Sequence, residues 1–122
     1  MNQETKNKIK LALYNGAKEG GLTITRDGSP VEKGYSVGVS TDYTSCCSGT
    51  DQELIDCISD FVDRISDKSD NNNLGVWYDE EEKTYVLDLT RNVNTQRTAT
   101  LIGWLHRQKA IYNHNKKEEI FI

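Results

Sequence analysis

The chain has 122 residues, the usual size of one domain, with a net charge of −4 and a mean hydropathy of −0.70. It holds no run of 18 or more apolar residues, and its opening Met-Asn-Gln-Glu-Thr-Lys lacks the apolar segment of a secretory leader; no membrane span is expected, and the protein is expected to remain in the cytoplasm. Cys46, Cys47 and Cys57 are odd in number and form no CxxC pair, and His106 and His114 complete no zinc spacing, so neither a disulfide framework nor a metal site is expected.

A first helix is expected over residues 3–19, where Ile9, Ala12, Leu13 and Ala17 recur at helical spacing around Gly16 and Gly20-Gly21 supplies the stop. Leu11 and Tyr14 fall off that stripe. Residues 22–25 and 35–40 alternate as strands do, and the turn-forming Arg26-Asp-Gly-Ser-Pro30 between them predicts a hairpin. Residues 40–50 are rich in Ser, Thr and Gly and read as a loop. Thr50 and Glu53 form a capping box that opens a second helix, with Leu54, Ile58, Phe61, Val62 and Ile65 on its inner face and an end near Lys68. Residues 69–73 are a polar connection.

A second hairpin is predicted from residues 74–78 and 84–90 around the loop Asp79-Glu-Glu-Glu-Lys83. Tyr85, Leu87 and Leu89 then share one face, and Val86, Asp88 and Thr90 the other. Asn94 or Thr95 caps a third helix, with Thr98, Leu101, Ile102 and Leu105 facing inward. Residues 110–112 and 118–122 flank an Asn-His-Asn turn as a third hairpin. The order predicts a single α+β domain over residues 1–122, a two-layer arrangement with three helices on a mostly antiparallel sheet of three hairpins.

No catalytic motif is present. His106 and His114 pair with no Ser, Cys or Asp in a recognisable pattern, the acids around Asp79 read as a solvated loop tip, and no phosphate-binding glycine motif occurs. No enzymatic activity and no cofactor are therefore expected. Charge is uneven: residues 91–122 carry six Lys or Arg against two Glu, while the first ninety carry nine basic and seventeen acidic side chains. An acidic chain is a poor binder of duplex nucleic acid, but its basic end can face a small anion. Residues 75–113 gather Trp77, Tyr78, Tyr85, Trp104 and Tyr112 with Arg91, Asn92, Arg97, Arg107 and Lys109. Rings stack on bases, cations neutralise phosphate, and a helix N-terminus accepts an anion. The same residues have a plain structural reading, with the rings filling a thin core and Arg107 and Lys109 solvated or paired with Glu118 and Glu119.

The segments Leu74-Gly-Val-Trp-Tyr, Thr84-Tyr-Val-Leu-Asp-Leu-Thr-Arg-Asn and Arg107-Gln-Lys-Ala-Ile-Tyr-Asn resemble small proteins of bacteriophages and prophages. The pattern, confined to about the last third of the chain, is most similar to the first type of Thoeris anti-defence proteins. That resemblance implies an oligomeric sponge, in the cytoplasm of an infected host bacterium, that binds the cyclic ADP-ribose isomers made by TIR-domain defence enzymes and leaves them uncleaved; some members of the family also bind cyclic oligonucleotides. Carried over residue by residue, it implies Tyr85 or Trp77 for stacking, Asn92 for polar contact, and Arg107 and Lys109 for phosphate; Arg91, from the cluster of rings and cations, completes the expected ligand-binding set. The aromatic-to-Asn spacing departs from the family pattern by a small gap. The competing expectation is a protein–protein inhibitor of a bacterial defence effector, resembling an anti-CRISPR, in which the acidic first ninety residues mimic phosphate charge. An enzyme is the third reading.

Overall fold

A computed structural model describes residues 1–66 and 72–122, with the backbone alone over residues 40–46. The elements are α1 (Gln3–Lys18), β1 (Gly21–Ile24), β2 (Tyr35–Cys47), α2 (Asp51–Ile65), β3 (Asn73–Asp79), β4 (Thr84–Val93), α3 (Gln96–Leu105), β5 (Ala110–Asn113) and β6 (Glu118–Phe121). They form one curled antiparallel sheet, in the order β1-β3-β4-β2-β5-β6, and three helices, the α+β class read from the sequence.

Local chemistry sets the helix starts. Asn2 accepts from the Thr5 N–H, Thr50 from that of Glu53, and Thr95 from that of Thr98, each satisfying an amide that the first turn leaves without a partner. All three helices cover one face of the sheet. Ile9 and Leu13 of α1 and Leu54, Ile58, Phe61 and Val62 of α2 pack with Leu74, Val76, Leu87 and Leu89. Ala99 of α3 joins Val37 and Ile111, and Ile102 touches both clusters. Each fully buried aliphatic side chain contributes about 1.5–3 kcal/mol relative to exposure, so this layer carries most of the stabilisation.

The hairpins β3–β4 and β5–β6 form as expected. The first pair is arranged differently. Residues 26–30 do turn, with the Thr25 N–H donating to Ser29 O, but the returning arm reaches only a bridge between Ile24 and Pro30 before leaving the sheet. β1 pairs with β3 at one edge, and β2 lies between β4 and β5. The expected loop at residues 40–50 is instead strand as far as Cys47, with an irregular register: between Ser40 and Ser45, β2 advances five residues while β4 retreats two, from Leu89 to Leu87. The expected end of the second helix near Lys68 lies outside the described residues.

α3 corrects the sequence reading most. Leu101 and Leu105 were expected inward, yet they are 50% and 82% exposed, and Thr98 is exposed too. The packed side is the small one. Ala99 and Gly103 are buried, and the Ile122 side chain occupies the space a Cβ on Gly103 would need. No helix among the described residues is long and apolar enough to cross a membrane.

Candidate functional site

Strand alternation separates the side chains expected to converge. Trp77 is the Cα partner of Val86, and Tyr78 that of Tyr85, so Trp77 and Tyr85 point to opposite faces. Tyr85 lies on the helix side, packed against the main core and edge-to-face with Tyr78 at 5.0 Å between centroids. Arg91, an even number of residues along β4, has its exposed side chain on that same side. Trp77 and Asn92 share the helix-free face but stand six residues apart along the ladder, roughly 20 Å. The Asn92 amide donates to Lys33 O at 2.9 Å. Within one chain these four residues do not make one site.

Arg107 and Lys109 are gathered elsewhere, around the end of α3. The helix closes in a Schellman motif: the Gln108 N–H donates to Gly103 O at 2.8 Å and the Arg107 N–H to Trp104 O at 3.2 Å. Arg107 occupies the left-handed position, φ 56°, where glycine is usual. The Ile122 N–H then donates to Lys109 O at 2.9 Å, and Ile122 O accepts from the Trp104 indole N–H at 3.2 Å. Backbone contacts through Ile122 thus tie Trp104 to the segment carrying Arg107 and Lys109. Trp104 is held in place and still 60% exposed. It lines a groove of about 440 Å³ with Gln96, Arg97, Thr100 and Leu101. Gln96 and Arg97 form the first turn of α3, whose free amides and dipole favour an anion.

Trp104 and Arg97 are the residues that sequence reasoning left out of its site. The signal was present in the spacing of Ala99 and Gly103, two small residues four apart that mark a close-packed helix side. Choosing that side over the leucines leaves Trp104, Leu101 and Leu105 outside.

The helix-free face holds a second cluster. Asp88 is the Cα partner of Gly75, and its Oδ1 is cut off from solvent with no hydrogen-bond partner among the described residues; the same holds for Thr90 Oγ1. Burial pushes the Asp88 carboxyl up to about 7, although the neighbouring Trp77 indole works against the shift. Further along this face, Ser36 Oγ and His114 Nε2 are 2.6 Å apart, with the Tyr112 ring edge-to-face on His114. Burial lowers the His114 pKa. Ser36 is 5% exposed, so this pair fastens β2 to the end of β5 and presents no nucleophile to solvent. A groove of about 380 Å³ lies near the end of the face, lined by Thr25, Val31, Glu32, Lys33, Asn73 and Asn92. Cys47 is buried, its thiol donating to Tyr85 O at 3.7 Å, and Cys57 is half-buried.

No protein-family model, curated protein or solved structure matches the chain.

Proposed function

We propose that the chain binds a cyclic nucleotide-type immune signal, of the cyclic ADP-ribose class, and withholds it uncleaved, as a phage counter-defence protein would. The observation that carries this reading is Trp104, an exposed ring fixed by its own N–H beside Arg97 in an open groove at the basic end of the chain. In this reading a base stacks on the indole and the phosphates meet Arg97, Arg107 and Lys109. The stacking partner is thereby Trp104, in place of Trp77 or Tyr85.

Magnitudes bear on the assembly. Stacking at ~1–3 kcal/mol and three charge-assisted contacts at ~1.5–3 kcal/mol each give roughly 6–12 kcal/mol before ordering costs. Nanomolar retention needs about 12 kcal/mol, so one shallow groove falls short. A second copy lying over the exposed Leu101 and Leu105 closes the groove, excludes water and adds contacts. Calorimetry with a purified cyclic ADP-ribose isomer tests the reading. Binding that weakens tenfold or more in Trp104→Ala and in Arg97→Ala supports it, and an isotherm unchanged by both substitutions refutes it.

The acidic surface of α2 favours a second reading, a protein–protein inhibitor. Asp51, Glu53, Asp56, Asp60 and Asp63 are all exposed there. Much of that charge is already answered within the chain: Asp51 pairs with Lys18, Asp60 with Arg64, and Asp63 with Lys6 and Lys10. Phosphate mimicry is correspondingly weakened. A stoichiometric protein partner recovered at low salt and lost at high salt would favour this reading over the first.

A further inference from the structure

We propose that β6 is a self-complementary edge, which pairs antiparallel with β6 of a second copy about a two-fold axis at Ile120 and joins two sheets into one. The strand order leaves two edges, β1 and β6. The chain closes the first itself: the Val31 N–H donates to Thr23 O at 2.9 Å, and Pro30, which has no N–H to offer, stands at the bridge to Ile24. No strand among the described residues pairs with the outer side of β6. The Ile122 N–H donates inward to Lys109 O. By alternation, Glu118 and Ile120 also direct their main-chain groups at β5, while Glu119 and Phe121 direct theirs outward. Such groups are a template for a further strand.

The side chains select a second copy and one register. Setting Glu119 opposite Phe121 of the second copy, and the reverse, uses every outward N–H and C=O of both residues. Glu119 on Glu119 would oppose like charges, and Phe121 on Phe121 would use half of those groups. The favoured register brings Ile120 against Ile120 of the second copy, which extends the small Val37, Ala99 and Ile111 cluster on which it packs. Phe121, 77% exposed, gains cover from the Glu119 stem of the second copy. Charge agrees. Lys109 lies beside Ile122 at one end of β6 and Glu118 at the other, roughly 13 Å away along the strand, too far to pair within one chain. The two-fold axis places Glu118 of the second copy opposite Ile122, on the same side as Lys109 and about 10 Å from it across two strands, within the joint reach of the two side chains. A seam of this length buries less than a standard interface of about 1,200–2,000 Å², so the dimer is reversible. The pairing stands without the nucleotide reading, shares only Lys109 with it, and is distinct from a contact over Leu101 and Leu105.

Sedimentation equilibrium on the full chain without nucleotide, from micromolar to millimolar concentration, tests the proposal. The parent should dimerise reversibly. Glu119→Pro removes an outward donor while sparing the bonds to β5, and should weaken the dimer tenfold or more. Lys109→Glu and Glu118→Lys should each weaken it severalfold by setting like charges together. An equimolar mixture of those two variants restores both opposite-charge pairs across the seam, so it should dimerise more tightly than either alone. Circular dichroism checks that all three variants are folded. The proposal is overturned if the parent stays monomeric at millimolar concentration, if Glu119→Pro associates as the parent does, or if the mixture forms no more dimer than its components.

Discussion

Asp88 lies across the backbone of Gly75, its partner in the β3–β4 ladder, and fills the room that a side chain at position 75 would take. Putting a methyl group there sets it against a covered carboxylate oxygen and the Thr90 methyl, so Gly75→Ala should cost about 1–3 kcal/mol. Truncating Asp88 to Ala in the same chain should recover part of that loss. A double-mutant cycle in urea checks the coupling, and strict additivity would contradict the contact.

The same carboxyl gives stability a pH dependence. Its folded pKa of about 7 lies above the ordinary value of 3.8, so between those two pH values the folded chain keeps a proton that the unfolded chain gives up. Stability from this group is present below about pH 4, falls by up to about 1.4 kcal/mol per pH unit as pH rises, and is lost above about pH 7. Asp88→Asn should remove the decline and raise stability at pH 8 by an amount on the order of a few kcal/mol. His114 acts in the opposite sense: its lowered pKa makes stability fall as pH drops below 6.5, and that acid-side loss should persist in the variant. Denaturant titrations from pH 5 to 8 distinguish the two; an Asn variant less stable than the parent at pH 8 would contradict the assignment.

Arg107 holds the left-handed position of a Schellman motif at a conformational cost of roughly 1–2 kcal/mol. Arg107→Gly should therefore raise stability by about 1 kcal/mol while weakening nucleotide binding. Thermal melts and calorimetry on the same preparation measure both effects. A variant that loses stability and keeps full affinity would remove Arg107 from the site.

Leu105 is 82% exposed beside Trp104, so replacing it by Glu should leave the fold intact and oppose self-association. Light scattering is expected to give a multimer for the parent and a smaller species for Leu105→Glu. Equal masses would argue against α3 as the contact between copies.

Much of the fold was legible because periodic burial writes itself into sequence. Leu54, Ile58, Phe61, Val62 and Ile65 sit inward as their spacing demands, Thr50 caps the helix it was expected to open, and Thr95, one of the two candidates with Asn94, caps the third. Strand order was not legible. The turn at residues 26–30 forms, yet nothing local says that its returning arm stops at Pro30 and that β1 docks on β3. The orientation of α3 was misread because apolar size was weighed above packing distance; Ala99 and Gly103 admit close approach where leucines would not. The site inherited that error. Trp77 and Tyr85, one on each strand of a hairpin, are divided by alternation, whereas Trp104, through its indole N–H, and Lys109, through its carbonyl, are both hydrogen-bonded to the backbone of Ile122, thirteen or more positions away.

Retention of the signal itself is the most direct measurement. The protein is incubated with the cyclic products of a TIR enzyme, washed and heat-denatured, and the released small molecules are identified by mass spectrometry. The parent should release an intact cyclic ADP-ribose isomer in stoichiometric amount, and Trp104→Ala should release little. Absence of the isomer from the parent, equal release by both, or recovery of only the opened nucleotide would contradict an uncleaved ligand held at Trp104.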